Sequence, residues 1–232
     1  MSQENLFNLG EHYAKMLDQG IQLSGENQFY FVEGRIRDLL TRLPSAFKPQ
    51  RILDFGCGIG QTSSYLSELF PQAEVLGVDT AVQAIEYARE HHGSPRVRFE
   101  PLDQLNEPGS FELAYCNGVF HHIPVAERDR AAALVYNSLA EGGRFALFEN
   151  NPINPGTRMV MKRIPFDRDA VTLFPWETTR LLKKTGFRVH SPRFLFYFPK
   201  QLNSLRFAEP WLVNLPFGAQ YYVLAVRSNN GR

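Results

Sequence analysis

Cysteine is scarce. Cys57 and Cys116 are the only two in 232 residues. Neither stands in a CxxC or Cys/His spacing, so no disulfide framework and no metal-ligating set is expected, and a reducing, cytoplasmic setting is the default. Long apolar runs are missing too. No stretch approaches about 18 uninterrupted apolar residues, which argues against a membrane-spanning helix. The first residues, MSQENLFNLGEHYAKM, are polar and acidic, without the basic region and apolar core of a signal peptide. Internal repeats are absent, and no basic stripe interleaved with aromatics marks a nucleic-acid module.

Charge is present but uneven. The net charge of +1 conceals a split: residues 1–150 carry 12 Lys/Arg against 20 Asp/Glu, a net of −8, and residues 151–232 carry 13 against 4, a net of +9. Nine aromatics fall between Phe194 and Tyr222. Such a half suits an anionic ligand with an apolar body, or a membrane surface; alternatively, the two halves pack as complementary faces of one domain.

The chain is organised around Arg51–Ser64, RILDFGCGIGQTSS. Residues 51–55 form a short apolar run that reads as a buried strand. Gly56, Gly58 and Gly60 follow at a spacing of two, and a helical pattern begins at residue 61. A strand turning at once into a helix passes through backbone angles that favour glycine, and the same glycines let a ligand lie against the backbone at the helix start. The next strand, EVLGVD, ends in Asp79, 19 residues after Gly60, near the spacing at which an acid meets a ribose hydroxyl pair. Asp79 is also placed to cap the helix from about residue 81, beside Thr80.

Hydrophobic residues make up 44% and charged residues 21%, values that suit one globular core at this length. Helices are predicted over 5–19, 27–43, 61–70, 81–92, 126–140 and 176–185, and strands over 51–55, 74–79, 96–100, 111–116, 143–149, 187–197 and 219–227. A Pro/Asn-rich loop is expected after residue 149. The early alternation implies a parallel sheet covered on both faces. The late strands, joined without an obvious crossover helix, read as an antiparallel pair at one edge, with 199–217 as an insertion. The predicted fold is a Rossmann-like, doubly wound sheet of about seven strands. It forms one domain: a helical cap (1–49), a cofactor-binding core (50–150) and a substrate-side segment with the last strands (151–232).

ILDFGCGIG, VLGVDTA, FEPLDQL, FELAYCNGVFHHIP and LAEGGRFALFE, in this order, resemble the class I S-adenosylmethionine-dependent methyltransferases. The likeness is dense over about residues 50–150 and looser at GFRV and YYVLAVR. It implies a mostly parallel sheet whose last strand is antiparallel, with S-adenosyl-L-methionine as cofactor. By this likeness Gly56, Gly58 and Gly60 line the methionine part of the cofactor, and Asp54 orients its amino group. Asp79, with Thr80 beside it, accepts from the ribose hydroxyls. Asp103 accepts from the adenine amino group, Leu102 packs near the ring, and Asn117 offers a carbonyl to the ammonium. The rival nicotinamide dehydrogenase reading needs G-x-G-x-x-G, whereas Gln61 stands one beyond Gly60. A methyltransferase-like binding protein without catalysis is the third reading.

The acceptor is expected to be a small molecule presenting oxygen: a phenol or quinone precursor, a polyketide-like metabolite or a lipid-linked sugar. The [DN]-P-P-[YF] sequence associated with amine and amide acceptors is replaced by Asn117-Gly118-Val119-Phe120. His121 and His122 are candidate bases, because imidazole titrates near neutrality; Glu149 is a third candidate, with Asn150 and Asn151 beside it. His190 is read as packed within its strand. The acceptor pocket is expected to include Phe7, Tyr13, Phe29, Tyr30, Tyr197, Lys200 and Arg206, with Arg158, Lys162 and Arg163 fixing an anionic end. Those last three cations could instead solvate one helical face.

Overall fold

The structure, a computed structural model, describes residues 24–164, 167 and 170–228. The predicted helix over 5–19, with Phe7 and Tyr13, lies outside the described residues. Helix α1 (Gln28–Arg42) is started by Asn27, whose side chain accepts from the Tyr30 N–H. Then follow β1 (Arg51–Phe55), α2 (Gln61–Leu69), β2 (Glu74–Asp79), α3 (Val82–His92), β3 (Val97–Pro101) and β4 (Phe111–Asn117). After them come α4 (Arg128–Ser138), β5 (Leu139–Asn150), α5 (Pro155–Arg163) and α6 (Pro175–Thr185). The chain closes with β6 (Phe187–Val189), β7 (Arg193–Leu195), α7 (Glu209–Leu212) and β8 (Gln220–Arg227).

The eight strands form one sheet in the order β3-β2-β1-β4-β5-β8-β6, with β7 also paired to β8. Strands β1 to β5 pair in parallel, and β8 runs antiparallel to β5, β6 and β7. Neighbouring residues along each central strand feed opposite cores. Ile52, Val75 and Leu113 pack under α1, α2 and α3, while Leu53, Leu76 and Ala114 pack under α4 and α6. Burial on both faces is why these strands read as continuous apolar runs.

Two local outcomes differ from the sequence expectations. The strand expected over 187–197 is two short strands, β6 and β7, interrupted at 190–192 around Pro192. Proline has no N–H to give the ladder. Both pieces pair antiparallel with β8 at one edge of the sheet, as the sequence indicates, and β8 joins them to β5. The loop expected after residue 149 soon becomes α5, with Asn154 capping the Thr157 N–H and Pro155 at the first position. Among the described residues, no helix is long and apolar enough to cross a membrane.

Gly60 sits at the start of α2 with φ +85°, and a Cβ there would lie 2.6 Å from the Phe99 ring. Gly60→Ala should destabilise the protein by about 1–3 kcal/mol from backbone strain alone, with more from displacing Phe99. Urea denaturation of the two proteins measures this; equal midpoints would contradict it.

Candidate functional site

The strand order reverses between β1 and β4, and a crevice opens at the carboxyl ends of the parallel strands there, as the topology of open α/β sheets requires. The cavity has a volume of about 1740 Å³. Pockets for one drug-sized ligand reach about 1,000 Å³, so two molecules can share this one.

Its floor is the turn after β1. The Gly56 and Cys57 N–H groups both donate to the Val78 carbonyl, at 2.8 and 3.0 Å. Gly56, Gly58 and Gly60 all hold positive φ, at 76, 52 and 85°. Gly56 and Gly58 line the cavity, whereas Gly60 sits behind them at the α2 start. A Cβ on Gly56 would fall 2.2 Å from Val119, so no larger residue fits there unless that side chain moves.

Two carboxylates flank this turn. Asp54, 2% exposed, accepts from the Ser63 hydroxyl at 2.6 Å. Burial pushes its pKa up to about 7, against that hydrogen bond. Asp79 accepts the Gly58 N–H on Oδ2 and the Ala81 N–H on Oδ1, both at 2.9 Å. Burial raises Asp79 as well, opposed by its backbone donors. Capping and ligand contact are compatible here, since a carboxylate has about four acceptor positions and the backbone donors do not fill them all. Thr80, Leu102, Asp103 and Asn117 all reach the cavity. Leu102 and Asp103 come from a 3₁₀ turn after β3, and Asn117 ends β4.

Nothing in the sequence pattern marks Arg35, which α1 brings to the same cavity. It is 5% exposed, and its guanidinium donates to the Tyr115 hydroxyl (2.9 Å) and to Gln220 Oε1 (3.1 Å). Among the described residues it has no carboxylate partner within ion-pair distance. A desolvated cation near Asp54, sharing one open cavity with Asp54 and Asp79, is complementary to a zwitterion. Its position near the fold's core strands gave a signal only in hindsight: an arginine among the apolar positions of α1, where Val32, Ile36 and Leu39 face inward.

The loop after β4 supplies a second cluster. His121 is buried, and its Nδ1–H donates to Glu149 Oε2 at 2.5 Å. Its Nε2 lies 3.4 Å from Asp167 Oδ1, and His122 Nε2 lies 3.2 Å from the same oxygen. Burial opposes charge on His121, yet the Glu149 and Asp167 carboxylates raise it to about 10. Burial lowers His122, against its bond to Asp167. Both histidines and Asp167 line the cavity. Glu149 does not line it: its Oε1 accepts the Phe120 N–H at 2.9 Å, and Oε2 is held by His121. Glu149 therefore orients His121 rather than facing a ligand.

The remaining wall is aromatic. Tyr30, Phe31, Phe196 and Tyr197 line it, and the Phe31 and Phe196 rings meet edge to face with centroids 5.0 Å apart. Phe196 is the one non-glycine residue of positive φ among those described, at 62°. Its ring occupies the space over Gly34, where a Cβ would lie 2.6 Å away. Arg206 reaches the cavity but is paired with Glu26 at 2.9 Å. Phe29 and Lys200 lie outside the lining, and Arg158, Lys162 and Arg163 lie on the exposed face of α5. The three cations thus solvate a helical face. His190, exposed just past β6, takes no part.

Asp54 generates a pH dependence. Its folded-state value is raised above the unfolded 3.8, so the folded state holds the proton more tightly. Stability from this group is greatest in acid and declines as pH rises from about 4 to about 7, by up to roughly 4 kcal/mol. Asp54→Asn should be free of that decline. Urea unfolding of both proteins at pH 5 and pH 8 checks it; parallel losses in the two would contradict the assignment.

Residues 53–145 match the family model described as "Methyltransferase domain". The chain is 34% identical over 111 residues to the trans-aconitate 2-methyltransferase of Deinococcus radiodurans, covering 48% of this chain and 42% of that one. It is 32% identical over 126 residues to the demethylmenaquinone methyltransferase of the same organism, covering 52% of each. A solved S-adenosylmethionine-dependent methyltransferase from Mesorhizobium loti superposes with a TM-score of 0.62 at 23% identity, over 84% of this chain and all of that one. The match to each of these two curated relatives spans about half of that relative's length or less.

Proposed function

We propose that this chain, whose residues 53–145 match a methyltransferase-domain family model, is a class I S-adenosylmethionine-dependent methyltransferase that transfers a methyl group from S-adenosyl-L-methionine to an oxygen of a small-molecule acceptor. The observation that carries the reading is the unbalanced charge of the cavity floor: Asp54 and Asp79 beside Arg35, all desolvated and open to one space. An amino acid attached to a ribose satisfies all three. On this reading Asp54 faces the ammonium, Arg35 takes the carboxylate and Asp79 accepts from the ribose diol. Asp103 and Leu102 hold the adenine, and the Asn117 carbonyl adds an acceptor near the ammonium.

The cofactor, when bound, supplies an electrophilic methyl and its own leaving group. What remains for the protein is alignment, exclusion of water and removal of the acceptor's proton. The aromatic wall of Tyr30, Phe31, Phe196 and Tyr197 would exclude water and hold an apolar acceptor body. On this reading the His121–His122–Asp167 cluster, which lines the same cavity, removes the proton of the acceptor hydroxyl.

Binding tests the first part. S-adenosyl-L-methionine should bind the wild type in calorimetry more tightly than NADH. Asp79→Ala and Arg35→Met should each weaken binding by about 1.5–3 kcal/mol, the range for hydrogen bonds to charged groups. Tighter binding of NADH would overturn the reading.

Turnover tests the second part. Against a fractionated metabolite extract with labelled cofactor, His122→Ala should lose about 10²–10⁴-fold in rate, with cofactor affinity nearly unchanged. Full activity in this variant would remove the cluster from proton transfer.

A further inference from the structure

We infer that His121, His122 and Asp167 form a site for one divalent transition-metal ion, of which zinc is the best-matched, on the acceptor side of the cavity. The inference deepens the reading above and rests on it only for what the ion would face.

The three ligand atoms are close enough to share one centre. His121 Nε2 and His122 Nε2 stand 3.4 and 3.2 Å from one oxygen, Asp167 Oδ1, and the three ligand atoms lie within 4.8 Å of one another. Charge-assisted N–H···O bonds settle at about 2.7–2.9 Å, and in the same cluster the His121–Glu149 bond is 2.5 Å. Two imidazoles held at longer range from one oxygen are not the closest-packed form of a hydrogen-bonded pair. Ligands bound to zinc at about 2.0–2.1 Å in tetrahedral array lie about 3.3–3.4 Å from each other. The two observed separations bracket that edge.

The surroundings supply what such a site needs. Glu149 takes the Nδ1–H of His121, which turns Nε2 toward the centre, the carboxylate–histidine–metal arrangement that fixes ring orientation. Glu149 is itself held by the Phe120 N–H. Asp167 is fixed by its own turn: its N–H donates to the Ile164 carbonyl, and its carbonyl accepts from Ala170. His121 is anchored through its carbonyl by the Val171 N–H at 3.0 Å.

Two imidazoles and one carboxylate suit zinc and its transition-metal neighbours, whereas magnesium and calcium prefer oxygen alone. Three protein ligands leave a coordination position, the arrangement of catalytic rather than structural zinc. That position would face the cavity, where His122 is partly exposed. An ion there would hold an oxygen of the acceptor and favour its deprotonated form.

The test uses the full chain, freed of metal by a chelator, and titrates Zn²⁺ by calorimetry and Co²⁺ by its visible d–d spectrum. One ion per chain is expected. His122→Ala and Asp167→Asn should each weaken binding at least 10-fold and abolish the Co²⁺ bands, and Glu149→Gln should weaken it 10–100-fold. Circular dichroism certifies each variant as folded; His122→Ala, at the cavity surface, keeps the test decisive if a buried variant unfolds. A folded wild type that takes up no ion overturns the inference, as does an ion bound equally well by folded His122→Ala. S-adenosyl-L-methionine is titrated in parallel. Cofactor binding without ion binding defeats this inference alone, and ion binding without cofactor binding defeats the methyl-transfer reading alone.

Discussion

One carboxylate fastens the floor of the cavity. Asp79 holds the Gly58 N–H on one oxygen and the Ala81 N–H on the other, so the turns after β1 and β2 share a single half-buried anchor. Removing it leaves two backbone donors to find new partners in a partly desolvated place, which costs about 1–3 kcal/mol each. The Val78 carbonyl grips the other half of the glycine turn through Gly56 and Cys57. Asp54 reaches across to Ser63 and ties in the first turn of α2. The positive-φ glycines are consequences of this tying: a chain pinned at both ends of a short turn has few backbone paths. A floor fixed before any ligand arrives spends none of the binding energy on ordering itself.

The cavity holds two charged clusters that are balanced differently. The His121–Glu149–Asp167 group is closed on itself, each carboxylate meeting an imidazole within 3.4 Å. It joins the loop after β4 to the end of β5 and to the segment after α5. Removing one member of such a buried set typically costs 3–5 kcal/mol, because a charge is left alone. The Asp54–Asp79–Arg35 group is open. Its members touch hydroxyls, amides and backbone N–H groups, and the carboxyl values are driven upward by burial. An apolar core beneath both faces of the sheet offsets that cost. Stability given up at one place and recovered elsewhere is the usual mark of a site kept for binding.

Much of the sheet was legible because both of its faces are covered. Buried parallel strands appear as bounded apolar runs, and β1 and β2 begin and end at the residues the sequence indicates. The glycine spacing and the acid at the end of β2 were legible for a related reason: turn chemistry leaves few residue choices. What escaped prediction depends on distant parts of the chain. Arg35 matters because α1 lays it over Tyr115, 80 residues away. Asp167 sits in a segment without periodicity and reaches the histidines only through the fold. Glu149 has the composition of a base, but its neighbours in space give it the work of orienting His121. Helix α5 hides behind N-P-I-N-P, whose turn formers are also a capping asparagine followed by an N1 proline.

The charge split resolves in the same way. The basic half meets the acidic half directly, through Arg193 with Asp38, Arg206 with Glu26 and Lys184 with Asp129. Much of the surplus that looks like an anion receptor in the sequence is thus spent inside the molecule or on the solvated face of α5. On the proposed reading the chemistry of the acceptor has to be sought in the chamber instead. There the wall is aromatic, and it is shaped by a backbone held in a costly conformation at Phe196 so that its ring can rest on Gly34 of α1. On the proposed reading, shape and apolar contact along this wall, with one polar cluster in the same cavity, are the features available to tell one acceptor from another. They come from α1 and from residues 196–198, which lie outside the matched domain of residues 53–145. A cavity floor built from strand ends can stay constant while such segments change around it.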